Sequence, residues 1–189
     1  MKVLLLNGSR RKEGCTYTAL CEVAQVLEQE GVETEILFAG DPSDEAVAAA
    51  AEAMKTADGL VVGSPVYWAS PSGEIVTFLD KFAAKAGASL AHKPAAAVAS
   101  ARRAGTTATL DVLHKYFEYF EMPLVASCYW PMVHGNTPEE VKQDEEGLQI
   151  MRVLGRNMAW LLKCIEAGRA AGVESPAAET PKKRTNFIR

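Results

Sequence analysis

The stretch Gly59-Leu60-Val61-Val62-Gly63-Ser64-Pro65-Val66-Tyr67-Trp68-Ala69-Ser70-Pro71 joins a short apolar run to a loop that contains two prolines. Residues 59–62 are typical of a strand buried on both faces. Each proline fixes its own φ angle and biases the preceding residue towards extended backbone, so we predict a rigid loop. Its adjacent aromatic residues, Tyr67 and Trp68, could cover a flat ring. In an ordinary structural loop, they would only pack on a neighbouring helix.

Strand and helix patterns alternate five times along the chain. The predicted strands are residues 3–6, 32–38, 59–62, 94–100 and 124–127. The predicted helices are residues 16–30, a helix capped by Ser43 or Asp44 that ends near residue 57, a helix that opens at Ser72, residues 106–120, and residues 138–167 behind a cap at Asn136 or Thr137.

This alternation predicts an α/β fold with a doubly wound parallel sheet between two helical layers. Five strands without a second mononucleotide half favour the flavodoxin-like order 2-1-3-4-5, in which ligands bind at the carboxyl ends of strands 1 and 3. We predict one domain over residues 1–170. Residues 171–189 are rich in alanine, proline and charge and form a predicted tail. The apolar pair Phe187-Ile188 near its end indicates docking on a partner subunit, with disorder as the alternative.

The loop of residues 7–16 is a candidate phosphate site, because it leaves strand 1 and enters a helix N-terminus. It offers glycines for close approach, hydroxyls and positive charge, from Gly8, Gly14, Ser9, Thr16, Thr18, Arg10, Arg11 and Lys12. Neither the Walker A pattern nor the G-x-G-x-x-G fingerprint is present. The alternative is a polar surface loop with a threonine cap.

Two other protein classes with this strand order are disfavoured. A low-molecular-weight tyrosine phosphatase would need a C-x5-R loop directly after strand 1, and Cys15 lies too far along. A response-regulator receiver would need an aspartate at the end of strand 3, where Ser64 and Pro65 stand.

Composition excludes further classes. The 189 residues are 48% hydrophobic with a net charge of −4, which argues against a nucleic-acid binder. No apolar run reaches the roughly 20 residues of a membrane span. The predicted first strand begins at Lys2, so we expect no signal peptide and a cytoplasmic protein. The four cysteines form no C-x-x-C pair, and we expect reduced thiols without a metal: Cys15, Cys21, Cys128 and Cys164.

A third loop, residues 100–106, leaves strand 4 at the same end of the sheet and is small and basic. One loop for a phosphate, one for a planar ring and one for the ring edge would together suit FMN. On the motifs at residues 8–16, 63–71 and 102–105, the chain resembles the NAD(P)H-dependent FMN reductase and multimeric flavodoxin-like family, over about residues 1–167.

The resemblance implies a set of cofactor-binding residues. Ser9, Arg11, Cys15, Thr16 and Thr18 would surround the FMN phosphate, Pro65, Val66, Tyr67 and Trp68 would follow the flavin ring, and Ala101, Arg102 and Gly105 would approach its pyrimidine side. Relatives often carry asparagine where Cys15 stands and a second glycine where Thr106 stands. Iron–sulfur members carry a compact cysteine cluster before the Gly63 loop, and because this chain lacks it we expect flavin without a cluster.

The implied activity is hydride transfer from NADPH or NADH through FMN to a small-molecule acceptor such as a quinone or free flavin. No side chain is required as a catalytic acid, although His134 and Tyr67 are candidates. Arg102 and Arg103 either meet the nucleotide phosphate or are solvated. Pairing through the flavin face implies a homodimer or homotetramer, with residues 128–132 as a floor or lid. The alternatives are a flavodoxin-type electron carrier, which the basic loops disfavour, and a domain that keeps the fold without flavin.

Overall fold

The computed structural model describes residues 1–181 and 183–187, and its backbone forms a sheet between two helical layers. The strands are β1 (Lys2–Asn7), β2 (Glu33–Phe38), β3 (Gly59–Tyr67), β4 (Ser70–Pro71), β5 (Ala95–Ala101) and β6 (Met132–His134). The helices are α1 (Cys15–Gln29), α2 (Asp44–Thr56), α3 (Gly73–Ala86), α4 (Thr106–Tyr119), α5 (Pro138–Val141) and α6 (Glu145–Ala170), with a 3-10 turn at Gly87–Leu90.

The strand order is β2-β1-β3-β5-β6, and all of these pairs are parallel. The two-residue β4 folds back antiparallel on the end of β3. Apart from this hairpin, the five parallel strands have the predicted flavodoxin-like order. The loops after β1 and β3 therefore leave the sheet on either side of the point where the winding reverses.

The apolar residues of β1 divide between two cores. Leu4 and Leu6 pack with α2, α3 and α4, whereas Val3 and Leu5 pack with α1 and α6. Because both faces of the strand are covered by helices, every position has to be apolar. This explains why a continuous apolar run, rather than an alternating one, marks the central strands.

The prediction of a fifth strand at residues 124–127 is wrong. Leu124 forms only an isolated bridge to Ala95. The pairing does not continue: Ser127 Oγ donates a hydrogen bond to the carbonyl oxygen of Ile150 in α6 (2.7 Å). The fifth parallel strand is the later β6, which pairs with the carboxyl end of β5.

Two other boundaries differ from the prediction. Strand β3 continues to Tyr67 instead of ending at residue 62, because Pro65 is compatible with the extended backbone of a strand. The predicted helix at 138–167 is two helices, α5 and α6. Asp144 separates them: its Oδ1 accepts from the backbone N–H of Gly147 (2.9 Å), and its Oδ2 accepts from the N–H of His134 (2.6 Å). A side-chain cap of this kind starts a new helix.

The chain beyond α6 is exposed. Phe187 is 89% exposed, and its predicted partner Ile188, with Arg189, lies outside the described residues. Among the helices of the described part of the chain, none has the length and apolar character needed to cross a membrane.

Candidate functional site

The loops that leave β1, β3, β5 and β6 enclose a cavity of about 210 Å³ at the carboxyl ends of the strands. Its lining residues are Ser9, Arg11, Gly14, Cys15, Thr16, Pro65, Val66, Tyr67, Ser100, Ala101, Arg102, Gly135 and Asn136. The structure thus brings together most of the predicted cofactor-binding residues. Three of them, Thr18, Trp68 and Gly105, lie outside the lining.

Helix α1, which begins at this cavity, and helix α4, which follows the lining residue Arg102, differ from the other helices in how they start. Helices α1 and α4 follow Gly14 and Gly105, which have no side chain to cap the first turn, and their first turns are uncharged. The other four are capped by side chains and carry acidic residues in the first turn, the caps being Ser43, Ser72, Thr137 and Asp144. Because Gly14, Cys15 and Thr16 line the cavity, the free N–H groups and the positive dipole end of α1 lie at it, an arrangement that favours an anion.

The loop after β1 is held in shape by Asn7, which is 1% exposed. Its Oδ1 accepts from the N–H of Ser9 (3.2 Å), and its Nδ2 donates to the carbonyl oxygen of Lys12 (2.9 Å). Ser9 Oγ in turn accepts from the N–H of Arg11 (3.1 Å). Sequence reasoning missed Asn7; its signal is a polar residue at the end of an apolar strand.

Buried hydroxyl groups join the three loops. Ser72 Oγ donates to the carbonyl oxygen of Gly8 (2.7 Å), and the N–H of Ser72 donates to Ser64 Oγ (3.0 Å). Thr16 Oγ1 and Ser100 Oγ lie 2.8 Å apart in a hydrogen bond, so the Thr16 hydroxyl binds a neighbouring loop. Because buried polar groups that are paired in this way resist rearrangement, the cavity is preorganised.

The aromatic loop is a tight hairpin in which Val66 pairs with Pro71 and Tyr67 pairs with Ser70. The ring of Tyr67 lines the cavity. Trp68, at the tip, is fully exposed and has φ +53°, so it does not cover the cavity as predicted. The two residues of the tip turn outward because both adopt the left-handed region, Ala69 at φ +58°.

Positive charge at the cavity comes from Arg11 and Arg102, which line it. Arg10 points elsewhere: its Nε donates to Glu74 Oε1 (2.6 Å), and its guanidinium lies 5.0 Å from the centre of the Tyr67 ring. Lys12 likewise lies over an aromatic ring, that of Phe38, at 5.6 Å.

Cys15 and Thr18 use their side chains within the protein. Cys15 Sγ donates to the carbonyl oxygen of Gly135 (3.7 Å), and burial raises the pKa of its thiol, so the thiol is protonated at neutral pH. Thr18 Oγ1 donates to the carbonyl oxygen of Gly14 (3.2 Å) inside α1. His134 is exposed and does not line the cavity, and its backbone N–H donates to Asp144 Oδ2.

Gly14, which was predicted as part of the phosphate loop, lines the cavity, whereas the lining residues Ser100, Gly135 and Asn136 were not among the predicted cofactor-binding residues. The last two follow β6, and the error in placing the fifth strand hid them. Once β6 is known, its carboxyl end has to lie beside those of β1, β3 and β5, which is the signal that could have found them.

The fold and the cavity define a flavodoxin-like protein: a parallel α/β sheet with a loop that enters an uncapped helix start and an aromatic loop at the switch point. The residues present fit FMN, since uncapped helix starts and Arg11 suit its phosphate and Tyr67 suits its ring.

Comparison with known proteins identifies the family. The family model of NADPH-dependent FMN reductase matches residues 1–137, and the chain belongs to this family. It is therefore an FMN-dependent oxidoreductase. An iron–sulfur flavoprotein of Methanocaldococcus jannaschii is 30% identical over 193 residues, which cover 88% of this chain and 100% of that protein.

Solved structures agree on the fold. The flavodoxin, WrbA-like protein from Agrobacterium tumefaciens has a TM-score of 0.67 at 19% identity, with 86% of this chain and 97% of that chain covered. FerB, a flavoenzyme NAD(P)H:(acceptor) oxidoreductase from Paracoccus denitrificans, has a TM-score of 0.66 at 17% identity, with the same coverage of 86% and 97%. The expectation of a flavodoxin-like fold is confirmed.

Proposed function

We propose that the protein takes hydride from NADPH or NADH and passes it to a small acceptor such as a quinone or free flavin. One observation carries this proposal: the uncapped start of α1, the side chain of Arg11 and Tyr67 meet at one cavity at the switch point. FMN bound there would supply the hydride-transfer chemistry. The side chains supply binding and orientation.

The phosphate would be held by the start of α1. The backbone N–H groups of its first turn and the Arg11 guanidinium offer charge-assisted hydrogen bonds. Ser9 Oγ, which already accepts from Arg11 N–H, keeps its own proton to donate. Cys15 would contribute its backbone N–H, because its thiol is bound to Gly135.

The flavin ring would lie along residues 65–67, with Tyr67 against it. Ala101, at the end of β5, and Arg102 would approach the pyrimidine edge. Trp68 would stand outside the ring and face the second substrate or a partner subunit.

The nucleotide is proposed to meet Arg102 and Arg103. Both are exposed, and neither forms an ion pair with any residue that the structure describes. Two free guanidinium groups beside the ring site suit the extra phosphate of NADPH. We expect Arg102→Ala and Arg103→Ala to raise the KM for NADPH more than the KM for NADH; an equal rise for both would contradict this assignment.

We propose that the protein works without an iron–sulfur cluster, although its relative from Methanocaldococcus jannaschii is named an iron–sulfur flavoprotein. The sequence lacks the compact cysteine cluster. In residues 1–181 and 183–187, no three His, Cys, Asp or Glu side chains are placed to hold a metal. Iron analysis of protein purified without oxygen tests this point, and stoichiometric iron and sulfide would refute it.

The protein is further proposed to act as a homodimer or homotetramer. Three large apolar side chains, Leu124, Tyr129 and Trp130, are 42%, 51% and 54% exposed beside the loop at residues 128–132. Apolar side chains grouped in this way are a common mark of a protein interface.

Steady-state kinetics tests the proposed activity. We expect NADPH oxidation with a quinone or with added riboflavin as acceptor. Double-reciprocal plots of rate against NADPH concentration should give the parallel lines of a ping-pong mechanism, with a slope that does not depend on the concentration of the second substrate. A protein that holds FMN but shows no turnover with either acceptor, and needs a separate reductase, would instead be the electron carrier.

A further inference from the structure

Arg10 lies in the phosphate loop but extends towards α3 and not into the cavity. Its Nε donates to Glu74 Oε1 at 2.6 Å, and Glu74 is in the first turn of α3. The next residue, Arg11, lines the cavity instead. The two consecutive arginines therefore extend in different directions, and of the two only Arg11 is placed to bind the phosphate.

The guanidinium of Arg10 lies over the ring of Tyr67, with its central carbon 5.0 Å from the ring centre. This distance is within the range of a cation–π contact. Tyr67 is also one of the residues that line the cavity. Arg10 thus connects three elements: the loop after β1, the end of β3 and the start of α3.

Stability alone does not explain this arrangement. The Arg10 side chain is 65% exposed, and exposed ion pairs contribute little to folding free energy. Glu74 is less exposed, at 23%, and its Oε2 is buried without a hydrogen-bond partner among the described residues. A carboxylate that is buried to this extent needs its cation close by, which fixes Arg10 in this position.

We propose that Arg10 is a positioning residue for the flavin ring: held by Glu74, it keeps the Tyr67 ring against the isoalloxazine, and it is not a phosphate ligand. This inference rests on the proposed FMN site. It differs from the expectation that the sequence alone gives, in which all three basic residues of the loop serve the phosphate.

The test compares FMN with riboflavin, which has the same ring but lacks the phosphate. Both are titrated into flavin-free protein and followed by flavin fluorescence. If Arg10 positions the ring, Arg10→Ala should lower the affinity for both flavins by the same factor, roughly 3- to 10-fold from the size of a cation–π contact. A phosphate ligand would instead lose FMN affinity selectively, which is the behaviour we expect of Arg11→Ala.

A double-mutant cycle adds a second readout. Tyr67→Leu removes the ring that Arg10 contacts, so Arg10→Ala should have little further effect in the Tyr67→Leu background. Arg10→Lys should restore only part of the affinity, because an ammonium group cannot both stack on the ring and hold Glu74 as a guanidinium does. Lys12→Ala, which removes the same charge from the same loop, is the matched control and should leave riboflavin binding unchanged.

The outcomes separate this inference from the proposed function. If wild-type protein binds neither flavin, the proposed site itself fails. If wild-type protein binds FMN and Arg10→Ala lowers only FMN affinity, or its effect adds fully to that of Tyr67→Leu, the positioning role is overturned while the FMN site stands. The inference is supported if Arg10→Ala lowers the affinity for FMN and for riboflavin equally, and if its effect does not add to that of Tyr67→Leu.

Discussion

At the scale of single residues, Gly105 sets the contact between α4 and the aromatic hairpin. It has φ +104°, and a Cβ there would lie 2.6 Å from the Cα of Ala69 and 2.8 Å from Cγ1 of Val66. Gly105→Ala should therefore lower the free energy of unfolding by about 1–3 kcal/mol and displace the hairpin. Thermal melts should show the loss, and FMN titration should show weaker binding.

The control for this change is Gly73→Ala at the first position of α3. A Cβ at Gly73 meets no heavy atom within 4 Å. We expect its effect on stability to stay within about 0.5 kcal/mol and FMN affinity to be unchanged. A Gly105→Ala protein that behaves like Gly73→Ala would contradict the close contact.

The thiol of Cys15 gives a prediction about pH. Because burial raises the pKa of the Cys15 thiol, a smaller fraction of it is the reactive thiolate at neutral pH than in a free cysteine. This fraction becomes large only when the pH rises above the ordinary thiol range. Iodoacetamide at pH 7, read by peptide mass spectrometry, should label the exposed Cys128 and Cys164 before Cys15. Preferential labelling of Cys15 would mean that it is an activated thiol.

Residues of the site were predictable from sequence where a residue type suited to binding FMN stood in a loop at the end of a predicted strand. Arg11, Pro65 and Tyr67 line the cavity as expected. The direction of Arg10 was not predictable, because neighbouring arginines in a loop look alike until the position of Glu74 is known. Whether each lining residue binds FMN stays a prediction.

At the scale of elements, the start of α1 should respond to a capping carboxylate. Gly14 has the extended backbone of an N-cap, φ −100° and ψ −167°. Gly14→Asp would cap the helix and place negative charge where the phosphate is proposed to bind. We expect the flavin-free protein to gain about 0.5–1 kcal/mol of stability and FMN affinity to fall at least roughly tenfold.

The Gly14→Asn variant is the neutral control, since it caps the helix without adding charge. A side chain at Gly14 comes within 3.2 Å of Arg11 Cβ, so both variants share the same small steric cost. FMN affinity should fall much further with aspartate than with asparagine. Equal effects would mean that no anion binds at this helix start.

Elements with long, periodic patterns were predictable from sequence. Helices α1, α2 and α4 lie within two residues of their predicted bounds, and α3 begins one residue after its predicted start at Ser72, because each has a sustained apolar face. Strand β6 was not predictable: it is only three residues long, and it is set by a distant partner, the N–H of Ala99 that donates to the carbonyl oxygen of Pro131 (2.9 Å). In the segment 124–127, Val125 is buried in the core that contains α1 and α6, whereas Leu124 is 42% exposed.

At the scale of the whole molecule, the exposed apolar side chains predict self-association. Light scattering should give the mass of a dimer or tetramer for the full chain. Trp130→Glu should lower that mass, because a charge in an apolar interface is costly to bury. A chain that ends at Gly172 should also have a lower mass if the tail docks on a partner. A full-length chain that is monomeric at high concentration would refute the proposed assembly.

The order of the sheet was predictable from sequence because alternating strands and helices leave few topologies, and the switch point then follows from the order. The sequence could not supply the links between loops, such as Ser72 to Gly8, because these join residues that are far apart in the chain.

The most direct test of the central claim is anaerobic addition of NADPH to purified protein loaded with FMN, followed by absorbance. The account predicts that the flavin absorbance bleaches within seconds and that the Gly14→Asp variant holds little flavin to bleach. A bound flavin that stays oxidised would point to an electron carrier. A protein that neither carries nor takes up FMN would contradict the assignment of the cavity.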